Sequence, residues 1–299
     1  MGKIAFVFSG QGDQHPGMGK EFADKYPAAL SVYEMCDRLR PGTSAQCFAG
    51  TEEELKETKN TQPCLFAFEL AAAMILREKG IVPHSVAGFS LGEVVAAVYS
   101  GIFSHETGFR LVCRRGELMQ HEAEKADTSM AAVVRLTEEQ VQELCAEFTD
   151  VYPVNFNCPG QISVSGLSPQ MKEFAARVKN AGGRAIPLKV KGGFHSPFMN
   201  GAAQAFREEL TKADRNQGSV VLYSNMTAKP YTEDVVELLS GQICNPVQWE
   251  KTICNMVKDG VDTFIEIGPG NTLTNMIKKI DAQVRALTVT EYLAEVESC

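Results

Sequence analysis

The run Lys3-Ile-Ala-Phe-Val-Phe8 is apolar at every position after its first and stops at Ser9-Gly10-Gln11-Gly12. Side chains of a strand alternate between two faces, so a strand can be apolar throughout only if both faces are covered. That is the situation of a strand inside a parallel sheet with helices on either side. Val86-Ala-Gly88 repeats the pattern and leads into Leu91 to Tyr99, a helix apolar on all sides that ends at Gly101. A second buried helix is expected from Asn60-Thr-Gln-Pro63 to Gly80, with Thr61 as its cap and Pro63 in its first turn. Strand and helix alternate as in a doubly wound α/β sheet.

From about Met130 the rhythm changes. Strand Met130 to Val134 is followed by a helix from Thr137 to Phe148, strands Tyr152 to Asn157 and Gln161 to Ser165, a helix from Ser168 to Ala181, and a strand from Arg184 to Val190. Thr137-Glu-Glu-Gln140 is a capping box, and the order βαββαβ is the split, ferredoxin-like unit. After Gly192-Gly193 the α/β alternation resumes with strand Ser219 to Tyr223, helix Gln248 to Lys258, strand Thr263 to Ile267 and helix Thr272 to Lys279. The division expected is therefore a large α/β part at 1–127 and 193–299 with a small ferredoxin-like part, 128–192, inserted into it.

Composition narrows the chemistry. With 44% hydrophobic and 22% charged residues in 299, the chain reads as an ordinary globular protein. A formal net charge of −8 and the lack of a dense Lys/Arg stretch argue against nucleic acid as a partner. No apolar run approaches the roughly 20 residues of a membrane span. The nine cysteines are odd in number and form no Cys-x-x-Cys pair, which suggests free thiols in a reducing cytoplasm and no metal site.

Gly88-Phe89-Ser90-Leu91-Gly92 lies between a strand and a helix, the context of a nucleophile elbow: a serine in a strained turn whose flanking glycines avoid collision. Its hydroxyl would stand at a helix N-terminus, where free N–H groups stabilise an oxyanion; the alternative is a serine that only caps a helix. A base must come from His15, His84, His105, His121 or His195. His195 is singled out, because Lys191-Gly-Gly-Phe-His195-Ser-Pro197 places it on an irregular loop at the seam between the two parts, where sites gather. A histidine packed there for shape is the alternative. Arg115 is flanked one helical turn away by Leu111, Val112, Leu118 and Met119, so a guanidinium sits in the core-facing stripe with no acid one turn away. Either another element supplies an internal partner or the residue grips a substrate carboxylate. Glu93, after the elbow, reads as a residue suited to the first turn of a helix.

These residues come in a specific series: Phe8-Ser-Gly-Gln-Gly12, Thr61-Gln-Pro63, Gly88-Phe-Ser-Leu-Gly-Glu93, Arg115-Gly116 with Met119-Gln120, Pro153-Val-Asn-Phe-Asn157, Phe194-His195, Asn245-Pro-Val-Gln-Trp249 and Glu266-Ile-Gly-Pro-Gly270. Over essentially the whole chain this resembles the malonyl-CoA:acyl carrier protein transacylases of fatty acid and polyketide synthesis. The resemblance implies an α/β-hydrolase-like large subdomain with the ferredoxin-like insertion. It implies a ping-pong transfer in which Ser90 takes malonyl from coenzyme A and yields it to the phosphopantetheine thiol of an acyl carrier protein, without a cofactor. His195 would be base and then acid, oriented by the main-chain carbonyl of Gln248. Gln11 and Leu91 would supply the oxyanion hole, Arg115 would bind the malonyl carboxylate, and Asn157 would line the seam.

Phe194 matches malonyl-selecting members, in which the ring fills the space of an α-methyl group, worth about 1 to 3 kcal/mol. Two positions depart from the usual pattern: Phe89 stands where histidine is common and would line the acyl pocket, and Asp13 stands where serine is frequent. An acyl hydrolase that edits carrier-protein thioesters, a stand-alone polyketide acyltransferase and a non-catalytic carrier-binding module are the rival expectations. A monomer is expected, and Lys189, Lys191, Lys278 and Lys279, near the predicted active-site loops, are candidates for docking an acidic carrier, with ordinary solvated lysines as the alternative.

Overall fold

The computed structural model describes residues 2–232 and 234–298. The α/β class expected from the sequence is found, divided between two sheets. Strands β1 (Lys3–Phe8), β2 (Ser85–Gly88), β7 (Val221–Leu222), β8 (Val261–Ile267) and β9 (Arg285–Thr288) form an all-parallel sheet in the order β7-β2-β1-β8-β9. Strand β1 lies at its centre, and Ala5 to Phe8 are completely buried. Strands β3 (Thr128–Val134), β4 (Val151–Cys158), β5 (Gln161–Leu167) and β6 (Arg184–Pro187) form an antiparallel sheet in the order β4-β5-β3-β6. With helices Glu138–Ala146 and Ser168–Asn180 between them, these are the ferredoxin-like βαββαβ unit. A separate apolar cluster around Val141, Phe174 and Val178 fills the space under this second sheet.

Local signals explain several boundaries. Thr137 accepts from the Gln140 N–H while the Gln140 side chain accepts from the Thr137 N–H, so both halves of the capping box form. The helix expected to start at Asn60 spans Thr58–Glu78 instead, because the Asn60 and Thr61 N–H groups both donate to the Glu57 carbonyl and add a turn ahead of Pro63. Thr61 is therefore no cap; its hydroxyl donates back to the Leu55 and Glu57 carbonyls. Strand β6 stops at Pro187, which has no N–H for the ladder. Strand β7 is only two residues long, although the Tyr223 N–H still donates to the Val86 carbonyl. Among the described residues no helix is long and apolar enough to cross a membrane.

Candidate active site

The elbow is forced by two close backbone approaches. A Cβ on Gly88 would lie 1.9 Å from the carbonyl carbon of Gly92, and one on Gly92 would lie 2.2 Å from the Phe8 carbonyl oxygen. Both glycines are thus required for helix Leu91–Tyr99 to start directly against β1 and β2. Between them Ser90 adopts φ 57 and ψ −106, a conformation L-residues rarely visit, at a cost of about 1–3 kcal/mol. Four hydrogen bonds hold the turn. The Phe89 N–H donates to the Phe8 carbonyl, the Ser90 N–H to Asn225 Oδ1, Asn225 Nδ2 to the Gly88 carbonyl, and Gln242 Nε2 to the Ser90 carbonyl.

His195 sits on the loop that leads out of β6, also at positive φ (60), and is 4% exposed. Its Nε2 is 2.8 Å from Ser90 Oγ and its Nδ1 is 2.7 Å from the Gln242 main-chain oxygen. A carbonyl can only accept, so Nδ1 carries the proton and Nε2 offers its lone pair to the serine. Burial, then the positive charge of Arg115, lowers the imidazole pKa to about 4, which keeps it neutral and ready to accept a proton at neutral pH.

The Gln242 carbonyl corrects an expectation. Orientation of the imidazole was expected from the Gln248 carbonyl, but that group accepts from Thr252, and the Gln248 N–H donates to the Asn225 carbonyl. Gln248 precedes helix Trp249–Lys258, so its carbonyl is committed to the helix's own first turn. Gln242, which follows helix Val235–Gly241, is fully buried and joins the whole site. Its carbonyl meets His195, its Nε2 holds the Ser90 carbonyl, and its Oε1 accepts from Arg115 Nη2 at 3.0 Å.

Arg115 comes from helix His105–Ala123 and has no exposed surface. Besides Gln242, its Nη2 meets Ser90 Oγ at 3.2 Å, whereas Nε and Nη1 are buried without a partner. Burial lowers its pKa to about 10, opposed by the field of Glu93, so it remains charged at neutral pH. A buried cation with two unused donors beside the elbow serine is suited to an anion. Gln62 lies close by; its Nε2 donates to Gln11 Oε1 and fixes the loop after β1. Neither the Gln11 nor the Leu91 N–H finds an acceptor within the described protein, which leaves both free for an oxyanion.

A cleft of about 260 Å³ is lined by Gly10, Gln11, Phe89, Leu273 and Met276 from the large part and by Asn155, Asn157 and Leu188 from the small part. It therefore runs between the two parts up to Phe89, next to Ser90. Asn155 and Asn157 are buried, and each keeps an unpartnered Oδ1. Phe89, expected in the acyl pocket, lines this cleft and packs edge-on against Trp249, with ring centroids 5.6 Å apart. Phe194 is buried in the large core cluster beside His195.

The sequence reading missed Gln62, Asn155, Asn225 and Gln242. Gln62 and Gln242 carried the signal that revealed Arg115, a polar side chain among apolar neighbours. Asn155 carried another: with Asn157 it shares one face of a strand. Asn225, in a loop, had none.

A serine, a neutral histidine and a buried arginine brought together in this way suit acyl transfer, and the chain belongs to the acyl transferase domain family, which matches residues 5–295. More particularly, it is 38% identical to the malonyl CoA-acyl carrier protein transacylase of Bacillus subtilis strain 168, over 97% of this chain and 94% of that one. The crystal structure of malonyl CoA-acyl carrier protein transacylase from Clostridium perfringens superposes with a TM-score of 0.94 at 34% identity, covering 99% of this chain and 98% of that one. A malonyl-transacylase solved in complex with a type II polyketide synthase acyl-carrier protein gives a TM-score of 0.91 at 32% identity, covering 96% and 94%.

Proposed function

We propose that the protein transfers a malonyl group from malonyl-CoA to the phosphopantetheine thiol of an acyl carrier protein. The observation that carries this reading is Arg115, a fully buried guanidinium with two unpartnered donors whose third nitrogen touches the nucleophile. The malonyl carboxylate meets the guanidinium, and the thioester carbonyl then lies at Ser90 Oγ. His195 Nε2 takes the serine proton as Oγ bonds to the carbonyl carbon, and the oxyanion rests on the Gln11 and Leu91 N–H groups. The C–S bond breaks, and the leaving sulfur takes the proton from His195. The carrier thiol reverses these steps: His195 removes its proton, sulfur attacks the ester, and Ser90 leaves with the proton.

The unpartnered Asn155 and Asn157 oxygens suit the amide-bearing arm common to coenzyme A and the carrier, and the buried Phe194 beside His195 would fill the space of an α-methyl group. Nucleophile, base and clamp all come from one chain, so a monomer is the acting unit. Exposed Lys189, Lys191, Lys278 and Lys279 would meet an acidic carrier. A reducing cytoplasm suits the eight unpaired cysteines among the described residues.

Intact-protein mass spectrometry after brief incubation with malonyl-CoA tests the reading. A malonyl adduct that disappears in Ser90→Ala is expected; no adduct, or one that survives the substitution, rejects it.

A further inference from the structure

Glu93 has no part in the chemistry above, yet it is completely buried, three residues after Ser90 on the first turn of helix Leu91–Tyr99. One carboxyl oxygen accepts two hydrogen bonds, from the Asn225 N–H at 2.9 Å and the Tyr231 hydroxyl at 2.7 Å; the other has no partner. Such burial is unfavourable for a carboxyl, and an apolar side chain would fill the space without that penalty. What the acid contributes is an acceptor at one point.

That point controls the elbow. Asn225 follows the two-residue strand β7, so little regular structure fixes it. Its carboxamide grips the elbow at both ends, accepting from the Ser90 N–H at 2.8 Å and donating to the Gly88 carbonyl. Its backbone is held by Glu93 on the N–H side and by the Gln248 N–H, 2.8 Å away, on the carbonyl side. The contacts close a ring: the elbow leads into Glu93, Glu93 holds Asn225, and Asn225 holds the elbow. Because Ser90 occupies a rarely populated backbone conformation, it persists only while its surroundings over-determine it.

We propose that Glu93 is a positioning residue for acyl transfer, acting through Asn225 to keep the Ser90 hydroxyl aligned with His195. This inference rests on the function proposed above. Burial pushes the Glu93 pKa up to about 8 against the pull of Tyr231, Asn225 and Arg115, and the bonds to Asn225 and Tyr231 need only an acceptor oxygen, which glutamine also has.

The test measures the rate of malonyl-Ser90 formation against malonyl-CoA concentration for the full-length protein, with folding checked by circular dichroism. Glu93→Ala is expected to acylate at least tenfold more slowly at saturation with KM within about threefold of wild type, and Glu93→Gln to stay within about threefold in both. Wild-type acylation by Glu93→Ala overturns the proposal, as does an equal loss in both variants. Should the alanine variant not fold, Tyr231→Phe decides: acylation about threefold slower at unchanged KM supports the proposal, and a wild-type rate overturns it. If the wild-type protein takes up no malonyl group, the proposed function fails by itself. Phenylmethylsulfonyl fluoride then reads Ser90 reactivity in the same variants, with the same order expected.

Discussion

Replacing Arg115 by alanine separates recognition of the acyl group from the chemistry at the serine. Two donors, Nε and Nη1, lack partners in the free protein; they point away from each other, and a carboxylate would accept from one of them. Hydrogen bonds to charged groups contribute about 1.5–3 kcal/mol each, and leaving one member of a buried ion pair alone costs about 3–5 kcal/mol. At about 1.4 kcal/mol per factor of ten, Arg115→Ala should lower kcat/KM for malonyl-CoA by roughly 10²- to 10³-fold. Acetyl-CoA has no carboxylate and gains nothing from the clamp, and acetyl bound to the wild-type site shuts in two unpaired donors. Its transfer by the variant should therefore stay within a few-fold of wild type or rise. The lost contacts to Ser90 Oγ and Gln242 Oε1 affect both acyl groups alike, so the ratio of the two losses is the informative quantity. Acyl-serine formation is followed by mass spectrometry with each CoA ester, and rates are normalised to folded protein. Equal losses for malonyl and acetyl would refute the argument and make Arg115 a purely structural residue.

His195 must be neutral to take the serine proton, and its folded-state pKa lies below the ordinary value, at about 4. Acylation should therefore lose half its kcat/KM near pH 4 on the acid side, and a midpoint near 6.5 would contradict the burial argument. A bound malonyl carboxylate offsets the Arg115 charge that helps depress the imidazole, so the acid limb of kcat should lie at higher pH than that of kcat/KM for malonyl-CoA but not for acetyl-CoA. Gly92→Ala puts a Cβ 2.2 Å from the Phe8 carbonyl oxygen and should cost about 1–3 kcal/mol of stability together with most of the activity. Urea unfolding and the adduct assay check this, and a wild-type result in both would mean that the elbow can move away from β1.

What could be read from the sequence depended on how local each signal was. Strand β1, the elbow with its glycines and the Thr137 capping box are encoded by residues next to one another, and they fold as their patterns predict. Arg115 was visible because a charge in an apolar stripe raises the question of its partner. The partner could not be read: Gln242 is 127 positions away, and it reaches Arg115 only once helix Val235–Gly241 packs in place. The Gln248 error had a local signal, since the residue that opens helix Gln248 to Lys258 has its carbonyl committed to the first turn; what could not be read was the helix Val235–Gly241 that leaves the Gln242 carbonyl free. Glu93 suited a helix N-terminus by its sequence, but the structure turns it inward to Asn225 and Tyr231. Phe89 was placed beside the serine in sequence, whereas its ring direction was set by Trp249, on a different helix.

The neutral oxygen behind His195 has a consequence for the fate of the acyl-enzyme. A carboxylate in that position would stabilise the imidazolium and make the imidazole a stronger base; a peptide carbonyl fixes the tautomer and adds only a dipole. A weak base suffices when the nucleophile is a thiol, whose pKa of about 8.5 lets it give up its proton readily, and when the leaving group is the corresponding thiolate. It activates water poorly, because water holds its proton far more tightly. On the proposed mechanism the ester on Ser90 should be slow to hydrolyse and wait for sulfur, with discrimination between transfer and waste set by the acidity of the attacking group as well as by the shape of the cleft. The peptide oxygen is also supplied whatever side chain occupies the position, so this setting survives substitutions that would erase a carboxylate.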